Sequence, residues 1–126
     1  MRWFSLFCVL FMLVGCANNE PTTDTFRGYY TAGGGFEYQS FVPCDPSGTS
    51  INGYWVKDND PAFSEGFSRV VPQRNNGNSH TVYVRFEGTL SPYKKNGYGH
   101  MNIYDHEITV EKLLEIELAN NQCQTK

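Results

Sequence analysis

The chain has 126 residues and carries 10 Lys and Arg against 13 Asp and Glu, which gives a net charge of −3. This length suits one folded domain after a short leader and is too small for two. The mild acidic balance, without any basic run, argues against a nucleic acid or an anionic membrane surface as the partner. Abundant aromatic residues, Val, Gly and Asn favour strands and turns over helices.

The N-terminus has the pattern of an export signal. A positive start, Met1-Arg2, precedes an apolar run over residues 3–14. As a helix this run would be about 18 Å long, against a bilayer core of roughly 30 Å, so it is too short to span a membrane. We therefore predict a signal peptide over residues 1–15.

The end of this run, Leu13-Val14-Gly15-Cys16, resembles the lipobox of bacterial lipoproteins. The resemblance implies cleavage before Cys16 and acylation of Cys16 with a diacylglycerol and a further chain such as palmitate. Two or three acyl chains would anchor a small domain firmly. Ala17 stands where Asp would imply retention at the inner membrane, so the resemblance points to an outer membrane. An ordinary secretory signal with a chance Cys is the alternative.

Polar residues with a Pro and no apolar period follow Cys16 and predict a flexible tether over residues 16–25. One folded domain is expected over residues 26–126. Cys44 and Cys123 are the cysteines left after Cys8 leaves with the signal and Cys16 is acylated. In an oxidising, exported compartment they are expected to form one disulfide. Soft metal ligation is the alternative, but the chain has no Cys-x-x-Cys pair.

The first predicted strands are short and aromatic. Residues 26–31 lead through Gly33-Gly34-Gly35 into residues 36–42, and we expect the glycines to bend one long strand. Asn52-Gly53 is a hairpin signal before a strand over residues 54–56. Residues 57–77 look irregular, although Asp58-Asn59-Asp60-Pro61 could cap one helical turn through residues 62–65.

The clearest strand pattern lies over residues 80–87, where Val82, Val84 and Phe86 alternate with polar and aromatic residues. Residues 91–99 predict a loop, and residues 100–104 alternate again. Residues 108–118 are interpreted as a strand with a bulge near Lys112 that places Leu114, Ile116 and Leu118 on one face, with a helix over residues 112–118 as the alternative. Five or six strands, one helical turn and one disulfide predict a small all-β barrel of the OB type.

Three segments, Gly28-Tyr-Tyr-Thr, Phe36-Glu-x-x-Ser-Phe-x-Pro-Cys44 and residues 97–110, resemble the C-terminal OB-like domain of NlpE-type outer-membrane lipoproteins. The similarity covers about residues 26–123. It implies an OB-like barrel in the cell envelope. The N-terminal domain of that family, with its Cys-x-x-Cys pair, has no counterpart here, so the family's link to copper is not carried over.

Residues that carry chemistry are few. No Gly-x-Ser-x-Gly motif is present, and we expect no enzyme activity and no cofactor. His100, Asp105 and His106 are candidate metal ligands, but strand spacing would separate the two histidines by about 20 Å, so hydrogen-bonding or exposed histidines are the favoured interpretation. Tyr38, Trp55 and Tyr83 are candidates for an exposed aromatic binding surface, against the alternative of an aromatic-rich core.

These observations favour a noncatalytic, lipid-anchored module that binds or senses an envelope protein. The anchor supplies contact with the membrane, and no nucleic-acid partner is expected. A small-ligand binder for a glycan or a transition metal is the alternative. A flat exposed aromatic patch would favour the first function, whereas polar groups converging in a pocket would favour ligand binding or an enzyme.

Overall fold

The computed structural model describes residues 15, 23–34, 39–45, 52–72 and 77–124. The predicted signal run, the lipidation site Cys16 and the binding-surface candidate Tyr38 lie outside the described residues. Within these ranges, no helix combines the length and the hydrophobicity that crossing a bilayer requires.

Five strands and one α-helix make up the described domain, which confirms the mostly β class predicted from the sequence. Their bounds, in chain order, are β1 Asp24–Gly33, β2 Gln39–Pro43, β3 Tyr54–Asp58, α1 Pro61–Val70, β4 Ser79–Leu90 and β5 Glu107–Leu118. Two 3₁₀ turns, His100–Asn102 and Gln122–Gln124, follow β4 and β5. β1 begins at Asp24, which pairs with Gly88, so the first strand starts two residues before residue 26, where the folded domain was expected to begin.

The strands pair as a closed barrel in the order β1-β2-β3-β5-β4, with β4 returning to β1. Every pairing is antiparallel except that of β3 with β5, which is parallel. The core fills the ring with side chains from all five strands and from α1. Those with almost no exposed surface are Phe41, Val82, Val84, Phe86, Ile108 and Val110, and Tyr104, in the segment between β4 and β5, is also almost fully buried.

The prediction that the glycine run bends one long strand is wrong. β1 and β2 are separate antiparallel strands, with Ala32 opposite Gln39, so the chain reverses its direction between them. The reversal lets Tyr30 and Phe41, which are directly opposite each other, both enter the core. The part of the predicted strand over residues 36–38 lies outside the described residues.

The helix begins where the sequence predicts it and runs longer than the single turn expected. Asp60 is the N-cap, its carboxylate accepts the Ala62 N–H at 3.0 Å, and Pro61 occupies the first turn. The ten-residue helix continues to Val70 because Phe63 and Phe67, four residues apart, pack on the core. Burying each ring contributes roughly 1.5–3 kcal/mol, which extends the helix beyond its cap.

The bulged-strand interpretation of the C-terminal segment is confirmed, and the helical alternative is wrong. β5 pairs with β4 along its length but shifts register twice, leaving Glu111 and Leu114 without a direct partner on β4. The strand was predicted to place Leu114, Ile116 and Leu118 on one face, and Ile116 and Leu118 do share a face, opposite Val84 and Val82. Leu113 and Ile116 pack against the core, opposite Phe86 and Val84, whereas Leu118 is 63% exposed.

The disulfide between Cys44 and Cys123 is confirmed. It joins the chain just after β2 to the C-terminal 3₁₀ turn, across a sequence separation of 79. The backbone N–H of Cys123 also donates to the Tyr29 hydroxyl at 3.2 Å, so the turn is held against β1. The bond therefore fastens the end of the chain to the barrel wall.

Candidate functional site

The connection between β4 and β5, residues 91–106, contains no α-helix and is described throughout, and we call it the β4–β5 loop. Tyr98 and Tyr104 pair across it as an isolated antiparallel bridge, with the Tyr98 N–H donating to the Tyr104 carbonyl at 2.7 Å. The expected strand over residues 100–104 is therefore wrong, because a 3₁₀ turn over His100–Asn102 closes this small hairpin.

Backbone and side-chain hydrogen bonds fix the base of the β4–β5 loop. The Ser91 N–H donates to the Glu107 carbonyl at 2.8 Å, and the Glu107 N–H donates back to the Ser91 hydroxyl at 2.7 Å. The Tyr98 hydroxyl donates to the Pro92 carbonyl at 3.0 Å, and the Lys94 ammonium lies 5.0 Å from the centre of the Tyr98 ring. These contacts make the loop a structured projection of the barrel.

Trp55 lies beneath this loop and not on an open surface. Its ring is half-buried, 5.4 Å from the Tyr104 ring, and Gly99 crosses directly over it. A Cβ at Gly99 would stand 2.2 Å from the Trp55 ring, and Gly99 has φ +70°, so both the space and the backbone conformation require glycine. Trp55 is therefore only partly exposed, with part of its ring covered by Gly99.

Tyr83 is also absent from the exposed surface, with only 5% of its area accessible. It lies opposite Tyr29 on the outer side of the β1–β4 pair, and the two rings meet edge to face at 6.2 Å. The C-terminal turn that the disulfide fastens binds the Tyr29 hydroxyl at this place. The sequence pattern correctly placed Tyr83 on the outer face but could not show that the outer face is covered.

The three candidate metal ligands do not form a metal centre. The described residues contain no group of three or more His, Cys, Asp and Glu side chains arranged to hold an ion. His106 Nδ1 donates to the Ser91 carbonyl at 3.0 Å, and its ring stacks edge-on against Tyr54 at 5.7 Å and Tyr93 at 6.1 Å. His106 thus has a structural role at the loop base, while His100 and Asp105 belong to the small hairpin and to the turn after it.

The exposed apolar residues of the β4–β5 loop are ones that the sequence patterns did not single out. Met101 is 77% exposed, Tyr93 63% and Ile103 46%. Met101 and Asn102 have φ of +57° and +55°, a left-handed conformation that non-glycine residues rarely adopt. The one available signal was Tyr93, a large aromatic residue in a segment predicted to be a loop, where no core requires it.

Titration shifts cluster at the other end of the barrel, around the start of α1. Backbone hydrogen bonds from Leu113 and Ala62 hold the pKa of Asp60 below its ordinary value. Desolvation raises the pKa of Asp58, and the nearby charge of Asp60 adds to this rise. Burial raises the pKa of Tyr30 well above its usual range, and the negative charge of Asp58 raises it further. Asp58 and Tyr30 both line a cavity at this end of the barrel.

No protein-family model matches the chain, and no curated protein and no solved structure is significantly similar to it.

Proposed function

We propose that this chain is a noncatalytic, lipid-anchored protein of the bacterial cell envelope that binds a partner protein through its β4–β5 loop. The observation that carries the proposal is the exposure of Tyr93, Met101 and Ile103 on a loop whose base and tip are held by hydrogen bonds. Large apolar side chains on a preorganised support lose little conformational entropy on binding and are typical anchors of protein interfaces.

The barrel is proposed to be of the OB type, as in the C-terminal domain of NlpE-type lipoproteins. Three features support this assignment: the ring order β1-β2-β3-β5-β4, the parallel pairing of β3 with β5, and a helix between β3 and β4. OB barrels bind their ligands through loops that a rigid ring of strands supports. This architecture agrees with a binding function. We infer a role in recognition or sensing, with the outer membrane as the site of anchoring.

The docking surface is tested by the triple variant Tyr93→Ser, Met101→Ser, Ile103→Ser. Affinity crosslinking with the full chain in intact envelopes should yield a partner adduct that the triple variant loses. The substitutions lie on exposed side chains, so we expect the melting temperature to change little.

The matched control is Val42→Ser with Leu118→Ser. Both residues are also large, apolar and exposed, at 39% and 63%, but neither belongs to the β4–β5 loop. This control should retain the adduct. Equal crosslinking by the triple variant and the wild type would reject the loop as the docking surface, and equal loss in both variants would show nonspecific hydrophobic capture.

A further inference from the structure

A cavity of about 400 Å³ opens at the end of the barrel where α1 packs, opposite the β4–β5 loop in the strand direction. It lies between the end of β1, the start of β2, the end of β3 and one face of the helix. Its size lies within the range of small-molecule sites. The lining residues are Tyr30, Ala32, Gly33, Gln39, Asp58, Phe63, Ser64 and Phe67.

The apolar wall of this cavity is aromatic. The Tyr30 ring meets the Phe63 ring at 4.9 Å and the Phe67 ring at 5.6 Å, both edge to face. The three rings are 7%, 3% and 8% exposed, so the packing of the core holds them in place. They form a rigid wall against which a compact apolar or aromatic group can pack.

The Tyr30 hydroxyl is the most informative polar group. Among the described residues it makes no hydrogen bond, although the side chain is more than nine-tenths buried. It is also not one of the hydroxyls sealed from solvent, so its remaining access is to the cavity. A buried polar group normally has a partner, and here a ligand would supply it.

Other polar groups on the rim have hydrogen-bonding capacity to spare. Within the described part of the chain, the Gln39 amide and the Ser64 hydroxyl make no side-chain hydrogen bond. Asp58 Oδ1 accepts the Asp60 N–H at 2.9 Å, and the Ser64 N–H also binds this carboxylate. A carboxylate offers about four acceptor sites, so Asp58 can accept further donors from a ligand.

The negative charge around the cavity favours a positively charged ligand. Asp58 is the one charged residue among those lining it, and Asp60 adds a second negative charge nearby, with Lys112 facing Asp60. A carboxylate attracts a cation and repels an anion, and the negative face of an aromatic ring adds to this preference. A neutral ligand would leave the Asp58 charge without a counterpart.

We propose that this cavity binds a small organic cation, a protonated amine or guanidinium with a compact apolar body. The cationic head pairs with Asp58 and the body packs on the Tyr30, Phe63 and Phe67 rings. The Tyr30 hydroxyl and the Gln39 amide complete the hydrogen bonds of the head group. This site lies away from the β4–β5 loop and does not depend on the proposed protein partner.

The test uses the full chain, isotope-labelled and disulfide-bonded, with 2-phenylethylamine and butylguanidinium as probes. We expect saturable shifts of the backbone amide signals of Ala32, Gly33, Gln39 and Ser64 with at least one probe. Two molecules serve as matched controls. Neutral 2-phenylethanol should bind about tenfold more weakly or worse, and anionic 3-phenylpropionate should not bind.

Two variants separate the roles of the residues. Asp58→Asn keeps an acceptor for the Asp60 N–H but loses the charge, so it should weaken amine binding about tenfold or more. Tyr30→Phe keeps the ring and removes only the hydroxyl, so it should weaken binding without lowering stability. Glu65→Gln, which removes a carboxylate from the same helix outside the cavity lining, is the control and should bind normally.

Each contrary result overturns the proposal. Neither probe shifting these signals at millimolar concentration would show that the cavity does not bind organic cations. Equal affinity for the amine and 2-phenylethanol, or unchanged binding by Asp58→Asn, would remove the role of charge. Shifts confined to the β4–β5 loop would place binding at the other end of the barrel.

Discussion

At the scale of single residues, Asp60 joins two elements that are distant in sequence. One carboxylate oxygen accepts the Ala62 N–H at the start of α1, and the other accepts the Leu113 N–H at 2.8 Å. Leu113 lies between Glu111 and Leu114, the two residues that the register shifts leave unpaired with β4. The cap of the helix therefore also satisfies a backbone donor at the irregular part of β5.

We predict that Asp60→Asn lowers the melting temperature at pH 7 and flattens the acid side of the stability profile. The folded-state pKa of Asp60 is lowered, so its stabilising effect is present above the unfolded value of about 4 and disappears as the pH falls through the folded pKa. An asparagine has one side-chain oxygen and does not ionise, so it cannot serve both donors as a carboxylate does.

Thermal melts between pH 2 and pH 7 measure this effect. The difference between the wild type and Asp60→Asn should be large at pH 7 and shrink towards pH 2. Glu65→Gln is the control. It removes an exposed carboxylate from the same helix, so its melting temperatures should follow those of the wild type across the pH range. A difference that stays constant across the pH range would rule out a role for the ionised carboxylate.

At the scale of elements, the sequence patterns correctly predicted features that depend on residues close together in the chain. The alternation of Val82, Val84 and Phe86 predicted β4, and Asp60-Pro61 predicted where the helix begins. The second apolar residue of the helix repeat, Phe67, would have shown that the helix continues past one turn. The choice of Leu113 over Leu114 for the core could not be predicted, because it depends on a second register shift set by pairing with β4.

The candidate sites were harder to predict because they are assembled from several elements. Tyr83 and Trp55 are covered by segments that are distant in sequence, the C-terminal turn and the β4–β5 loop. The cavity around Tyr30 needs residues from β1, β2, β3 and α1, and no spacing along the chain brings them together. The disulfide between Cys44 and Cys123 could be predicted without any geometry. Once Cys8 and Cys16 were assigned to the signal and the anchor, only one pair of cysteines was left.

The C-terminal turn depends on the disulfide more than on its own packing. Its residues are half-buried or exposed, and the structure fastens it through Cys123 to the chain after β2. We predict that Cys44→Ser with Cys123→Ser lowers the free energy of unfolding by about 4 kcal/mol, because a bond closing a loop of this length restricts the unfolded chain strongly.

Denaturant melts of the oxidised protein and of the double variant measure this difference. The double variant should also expose Tyr83 to solvent quenchers, since the turn that binds Tyr29 is released. Identical unfolding midpoints for the oxidised protein and the double variant would contradict a stabilising role for the bond.

At the scale of the whole molecule, the proposed anchor and the proposed docking surface belong to different parts of the chain. β1 begins at Asp24, eight residues after Cys16, so a fully extended tether would reach about 28 Å at ~3.5 Å per residue. If the proposed anchor is present, a tether of this length would let the barrel rotate relative to a membrane surface, so that either end of the barrel could meet a partner.

We predict that Cys16→Ser abolishes acylation and moves the protein out of the detergent phase in a phase-partition assay. The reason is that the acyl chains on Cys16 are the expected source of its membrane affinity. Cys8→Ser provides the matched control, since Cys8 lies inside the predicted signal and should not be modified. Unchanged partitioning of Cys16→Ser would reject the lipobox.

The position of β5 in the ring determines when the protein can fold during synthesis. β5 is the last of the described strands to be synthesised, yet it stands between β3 and β4 and pairs with both. The barrel therefore cannot close until Leu118, the last residue of β5, has emerged from the ribosome or crossed the membrane. Cys123 follows five residues after Leu118, so the native disulfide can form only after β5 has been delivered. Before that point Cys44 has no native partner, and the edges of β3 and β4 that later pair with β5 are unpaired.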